Sequence, residues 1–220
     1  MLLELAIGDA YGAGFEFADE MLAANDLSQY VQHPRRHNEI WPGRYTDDTQ
    51  MSLAIAEVLV SGQPWTESVL ADSFVRAFKR DPRVGYAGKL YAFLQSISDG
   101  EEFLAQIRGT SDRSGAAMRA APIGVLPTIE QTIAATTRQA AITHNSPDGI
   151  SAAVAAALMS HYFIYQLGEK RELGTFLDTY VPGYNWARDW EGCVTTKGIE
   201  CVHAAVTAVQ QCDRMTDLLI

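Results

Sequence analysis

The chain has 220 residues, 47% of them hydrophobic and 20% charged, which is enough length and apolar content for one domain with a buried core. Its formal net charge of -10 argues against a nucleic-acid partner, and its richest apolar run, around Ile150 to Leu167, is interrupted by Ser160 and His161, so no membrane span is expected. Cys193, Cys201 and Cys212 form no C-x-x-C pair and read as free thiols of a cytoplasmic protein, and Met1-Leu2-Leu3-Glu4-Leu5 lacks the basic start of a secretory signal.

Leu2 to Ala13 reads as a helix crowded with small residues, Gly8, Ala10, Gly12 and Ala13, followed by Gly14. Glycine lowers helix propensity, so these positions are expected to permit close approach of a helix or a ligand. Asp9 inside this run is expected to be a helper that bonds nearby backbone; Glu16, between Phe15 and Phe17, is either solvated or functional. Met21 to Trp41 has no clear period. His33 and His37 are spaced i, i+4, but Pro34 and the adjacent Arg35-Arg36 favour a solvated loop over a metal pair.

Pro42-Gly43 is a turn leading into a helix over residues 46–61. Thr46 is placed as its N-cap, with Asp47 and Asp48 in the first turn. Acidic residues there complement the helix dipole; equally, two carboxylates and a hydroxyl form a hard oxygen donor set suited to Mg²⁺. Gly62-Gln63-Pro64 is a loop, and Thr66 caps a helix running to about Lys79. Two short helices follow, Lys89 to Ile97 and Glu101 to Ile107.

Gly109 to Gly115 reads as a Gly/Ser loop opening onto an Ala-rich helix from Ala116 to Ala121, which suits either anion binding or ordinary capping. Thr128 to His144 is helical, with Ile129, Ile133, Ala134, Ala140 and Ala141 facing inward and His144 at the C-terminal end. Pro147 starts a packing helix to Leu167 that carries His161 as a hydrogen-bonded core or boundary residue. Arg171 to Tyr180 is a short helix. The aromatic loop from Pro182 to Trp190 either closes over the core or stacks on a base. A last clear helix spans Thr195 to Gln211, and 213–220 reads as the start of another element. No strand pattern, repeat or linker appears. The expectation is an all-α fold, one compact domain over residues 1–220 with roughly nine or ten helices.

Several stretches, in this order, resemble the ADP-ribosylglycohydrolase family: Gly8-Asp9-Ala10-Tyr11-Gly12 with Glu16, Tyr45 to Met51, Ser111 to Arg119, Pro122-Ile123-Gly124 and Ile142-Thr143-His144. The resemblance implies an orthogonal helical bundle with a two-Mg²⁺ centre in a cleft, acting on an ADP-ribosylated protein or a small ADP-ribose conjugate. By the family pattern Thr46, Asp47 and Asp48 bind metal, and Glu16 or Asp48 handles the proton. Ser111, Asp112, Arg113, Ser114 and Gly115 hold the diphosphate, and His144 lines the cleft. Tyr184 or Trp186 is a candidate for adenine stacking. The family's second metal motif, Asp-x-Asp-Thr, has no counterpart after Asp148, so the second ion's ligands are not in this sequence. Rival expectations are a non-catalytic ADP-ribose binder and a metal-dependent phosphohydrolase.

Overall fold

The computed structural model describes residues 1–26, 28–36 and 39–212. The His37 member of the His33/His37 pair and the element expected over 213–220 lie outside the described residues. Among the described residues the fold is all-α. Its helices are α1 (Leu2–Gly12), α2 (Asp47–Ser61), α3 (Glu67–Arg80), α4 (Gly88–Ser96), α5 (Gly100–Gln106), α6 (Ile129–His144), α7 (Pro147–Ile164), α8 (Leu173–Tyr180) and α9 (Gly198–Gln211). Short 3-10 turns cover Asp19–Ala24, Ser114–Ala116, Ala121–Val125 and Lys170–Glu172. Among the described residues, extended pairing is limited to two isolated bridges, Thr110 with His144 and Arg113 with Lys197.

Local side-chain caps start α3, α5, α6 and α7, Asp99 serving α5 by accepting from the Glu102 N–H. The hydroxyls of Thr66, Thr128 and Ser146 accept from the N–H groups of Val69, Gln131 and Gly149, each satisfying a donor that has no partner inside the helix. Pro147 occupies the first turn of α7, where its missing N–H costs nothing.

Two apolar cores result. One joins α2, α3, α4 and α5 through residues such as Ile55, Leu70, Phe74, Phe78, Leu94 and Phe103. The other joins α7, α8 and α9 through Leu158, Tyr162, Leu177, Trp186 and Val206. The turn following Ser114 lies on the seam between them: Ala116 packs into the first core and Ala117 into the second. A segment packed on both sides has little freedom to shift, and this holds the loop before it in place.

Three expectations need correction. Ala116 to Ala121 is not an α-helix: turns at 117–120 join the 3-10 segments Ser114–Ala116 and Ala121–Val125, and Arg119 is drawn into the interior. On α6 the inner face is polar, made of Thr132, Thr136, Gln139 and Thr143 beside Ala140 and Ile142, while Ala134 faces solvent. On α1, a Cβ added at Gly8 or Gly12 would meet nothing within 4 Å, so close helix packing does not explain them; Gly14 is the tight position, against the Val31 carbonyl.

Candidate active site

The start of α2 is held from outside its own sequence. Thr46 is the N-cap residue, with φ -111° and ψ -154°, but its side chain makes no capping bond. Asp9 on α1 does the capping instead. Its carboxylate accepts from the Thr46 N–H at 2.8 Å and the Thr49 N–H at 3.1 Å, and from the hydroxyls of Thr46 at 2.7 Å and Thr49 at 2.6 Å. Asp9 is thus the backbone helper the sequence suggests, and Thr46 is a donor to it rather than a cap.

Asp47 and Asp48 follow at the first two helical positions. Asp47 is 8% exposed and Asp48 is half-buried. Burial pushes the Asp47 carboxyl up to about 7, with Glu16 and Asp9 adding to the rise. Asp48 is also pushed well up, first by burial, then by the charges of Asp47, Asp9 and Glu16. Glu16 is raised by burial and by Asp9 against the opposing charge of Arg36, whose Nη1 lies 3.5 Å from its carboxylate. Because 45% of the Glu16 side chain remains accessible, that carboxyl is not isolated from solvent. The structure therefore brings Asp9, Glu16, Asp47 and Asp48 into one electrostatic cluster. Among the described residues no Lys or Arg forms an ion pair with Asp9, Asp47 or Asp48.

The loop between α3 and α4 closes over this cluster. The Asp47 N–H donates to the Val84 carbonyl at 3.0 Å, and the Tyr86 hydroxyl donates to Gln50 Oε1 at 2.6 Å. Gln50 in turn donates to the carbonyls of Ala77 and Asp81 at the end of α3. Gly85 has φ +110°, and a Cβ there would fall 1.8 Å from Asp47 Oδ1. A cavity of about 570 Å³ adjoins the same helix start, lined by Trp41, Arg44, Tyr45, Thr46, Arg83 and Val84 among others.

Uncompensated carboxylates beside a hydroxyl fit the donor chemistry of a hard divalent ion. Among the described residues, however, no three His, Cys, Asp or Glu side chains converge closely enough to hold an ion by themselves. Thr46, Asp47 and Asp48 fit as a partial donor set.

The Gly/Ser loop lies against the C-terminal end of α6. The Ser111 N–H donates to the Thr143 carbonyl at 3.3 Å, and the Ser146 hydroxyl donates to the Ser111 carbonyl at 2.9 Å. Ser111 Oγ accepts from the Arg113 N–H, the Asp112 carbonyl accepts from the Gly198 N–H, and the Ser114 carbonyl accepts from the N–H groups of Ala117 and Met118. The Arg113 side chain is exposed. Gly115 lies directly against the His144 ring, whose Cε1 would be 3.0 Å from an added Cβ. His144 is 6% exposed; burial and then the Arg119 charge lower its pKa to about 3. Burial and the Arg119 charge thus favour the neutral imidazole at ordinary pH.

Four contributors escaped the sequence reading. Arg119 is a fully buried guanidinium bonded to Gln139 and Thr143 and stacked 4.5 Å from the Phe74 ring centroid. Gly85 and Tyr86 close the carboxylate cluster. His33, 2% exposed, anchors the Glu16 backbone: Nε2 donates to the Glu16 carbonyl at 2.9 Å, while Nδ1 accepts from the N–H groups of Arg35 and Arg36. Both ring nitrogens are used, which leaves His33 no free position as a metal ligand. Pro34 beside a histidine was the available signal for a fixed loop rather than a solvated one.

Of the aromatic pair, Trp186 is wholly buried and donates its Nε1–H to the Val181 carbonyl at 3.2 Å, so it cannot stack on a ligand. His161 falls on the core side of the two positions expected for it, 3% exposed and bonded to the Gly124 carbonyl.

Comparison with known proteins gives a consistent result. A family profile described as ADP-ribosylglycohydrolase matches residues 1–218. The chain is 30% identical over 172 residues to human ADP-ribosylhydrolase ARH3, covering 70% of this chain and 46% of that protein. It is 31% identical over 178 residues to the ADP-ribosyl-dinitrogen reductase glycohydrolase of Rhodospirillum rubrum, covering 76% and 58%. It is 26% identical over 182 residues to ADP-ribosylarginine hydrolase Tri1 of Serratia proteamaculans, covering 78% and 48%. The chain thus spans about half the length of the curated relatives it matches. Among solved structures, an ADP-ribosylglycohydrolase-related protein complex shares the fold with a TM-score of 0.65 at 20% identity, over 99% of this chain and 76% of that one.

Proposed function

The chain belongs to the ADP-ribosylglycohydrolase family, and on that premise we propose that it hydrolyses the glycosidic bond between ADP-ribose and an acceptor, with arginine the first acceptor to test. The observation that carries this reading is the group of four carboxylates around the start of α2, with no Lys or Arg among the described residues paired to Asp9, Asp47 or Asp48. Burying like charges together costs free energy that a purely structural helix start would avoid.

Carboxyls raised toward neutrality suit proton transfer near pH 7. In this reading Glu16 or Asp48 exchanges a proton with the leaving group or the attacking water. Asp9 keeps the Thr46–Thr49 turn rigid while this happens. Thr46, Asp47 and Asp48 would hold Mg²⁺, which when bound supplies charge neutralisation and a template for the ribose hydroxyls. The turn from Ser111 to Gly115, with Arg113, receives the diphosphate and orients the sugar through remote binding energy. The cavity beside Thr46 would receive the acceptor, and the thiols of Cys193 and Cys201 support a reducing, cytoplasmic setting.

The test is release of ADP-ribose from an ADP-ribosylated arginine peptide, with and without EDTA, by wild type and by the Asp47→Ala/Asp48→Ala double variant. The expected result is magnesium-dependent release in the wild type and a loss of about a hundredfold or more in the variant. Metal-independent release by both proteins would overturn the reading. One observation favours a second reading, a binder without turnover: three metal-holding side chains do not converge among the described residues. Calorimetry showing ADP-ribose binding, with no release from any conjugate, would select it.

A further inference from the structure

Arg119 is a buried cation with no role in the chemistry proposed above. A guanidinium has five N–H donors and no acceptor, and it does not lose its charge in proteins. Each of its recorded bonds is therefore one in which it donates: Nε to Gln139 Oε1 at 2.7 Å, and Nη2 to the Gln139 carbonyl at 3.2 Å and to Thr143 Oγ1 at 2.7 Å. The orientation of the Gln139 amide follows, because its Nε2 donates to the Ala116 carbonyl at 3.0 Å. Arg119 thus faces the amide oxygen, and the nitrogen faces the turn.

The direction of the chain then carries over to Thr143. Its oxygen accepts from Arg119, so its single proton needs an acceptor elsewhere. Among the described residues the partner available is His144 Nδ1, 2.7 Å away. An Nδ1 that accepts carries no proton, and a neutral imidazole must then carry it on Nε2. That nitrogen lies 3.2 Å from where a Cβ on Gly115 would be, next to the loop that begins at Ser111. Burial and the Arg119 charge keep the ring neutral, which removes the doubly protonated alternative.

We infer that Arg119 and Thr143 are positioning residues that lock His144 in its Nε2–H tautomer and present a neutral N–H donor beside Gly115 to an acceptor oxygen of the bound ligand. The lock itself rests on this hydrogen-bond chain alone; that the ligand oxygen belongs to the diphosphate of ADP-ribose rests on the proposed function. Such a donor selects an acceptor oxygen at that point, and a cationic amine there is refused. Gly115 is required because any side chain would stand between the ring and the ligand.

The experiment is nuclear magnetic resonance of the protein with isotope-labelled histidine at neutral pH, His144 being assigned from the His144→Gln variant. In the ligand-free wild type the proton is expected on Nε2, with Nδ1 bare. Thr143→Ser keeps this state. Thr143→Val, nearly isosteric but without the hydroxyl, gives a mixture of tautomers. Calorimetry with ADP-ribose is expected to show binding about tenfold weaker in Thr143→Val and near wild type in Thr143→Ser. A proton on Nδ1 in the wild type, or a Thr143→Val protein with the wild-type tautomer, overturns the lock. The wild-type measurement decides this even if Thr143→Val does not fold. An Nε2–H ring in a wild type that does not bind ADP-ribose supports the lock and overturns the ligand reading of the preceding subsection instead.

Discussion

The start of α2 and the surroundings of Arg119 are both buried and polar, yet they are organised in opposite ways. Around Arg119 one positive charge is surrounded by neutral partners, and Gln139, Thr143 and His144 form a continuous line of donors and acceptors. Around Asp47 several negative charges face one another, and only Asp9 is well supplied with donors. The first site is satisfied within the protein as far as His144 Nδ1. The second is a balance missing one side, and it is under electrostatic strain until something positive arrives. A continuous hydrogen-bond chain maintains a shape and fixes the direction of the donor at its end, whereas an open cluster of like charges favours binding a cation.

The strongest way to break this contrast is Gly85→Ala. The new methyl would fall on Asp47 Oδ1 and the residue would be held at φ +110°. We expect a loss of about 4 kcal/mol or more in stability, read by denaturant unfolding, together with loss of hydrolysis.

Next come two pH series with opposite signs. Asp47 titrates near 7 in the fold against 3.8 as its ordinary value, so the folded state holds a proton that the unfolded chain releases. Stability of the metal-free protein should fall as pH rises from about 4 to about 7, by up to about 1.4 kcal/mol per pH unit from this group. Asp47→Asn should flatten that decline. His144 titrates near 3 against an ordinary 6.5, so the unfolded chain takes up the proton first. Its contribution is complete above pH 6.5 and is lost as pH falls toward 3; His144→Gln should flatten the acid side. Thermal melts across pH measure both. Slopes of the same sign for the two sites would remove the contrast.

Asp9→Ala should cost about 2–3 kcal/mol, since two N–H groups and two hydroxyls lose their acceptor together. Arg36→Gln lies at the small end. Its contacts with Glu16 and Glu39 are solvent-exposed, and its removal should change the melting free energy by less than about 0.5 kcal/mol. A larger effect would mean that Arg36, and not a bound cation, balances the carboxylates.

The sequence was most legible where the physics is local. Thr66, Thr128 and Ser146 cap helices through bonds three residues long, and all three starts fall within a residue of expectation. The cap of α2 was hidden because its acceptor lies 37 residues away from Thr46. The inner face of α6 was misread for a related reason. Apolar periodicity favours Ala134, but the guanidinium of Arg119, supplied by another segment, requires Gln139 and Thr143 to face inward. The acidic pair at residues 47 and 48 was visible in sequence; that it is buried against Glu16 and Gly85 was not, because loop closure leaves no periodic trace.

The cap that α1 supplies to α2 also determines when the site can exist during folding. Until the first helix docks, the turn from Thr46 to Thr49 lacks its anchor, and the carboxylates that follow are not gathered. The unfolded chain therefore offers a cation no comparable seat, and any ion or nucleotide that prefers the assembled form will shift the folding equilibrium toward it. A free ligand concentration of a hundred times the dissociation constant corresponds to about 2.7 kcal/mol. Melting temperature thus becomes a direct gauge of what the protein binds, readable across a panel of metals and ADP-ribose conjugates before any turnover is measured.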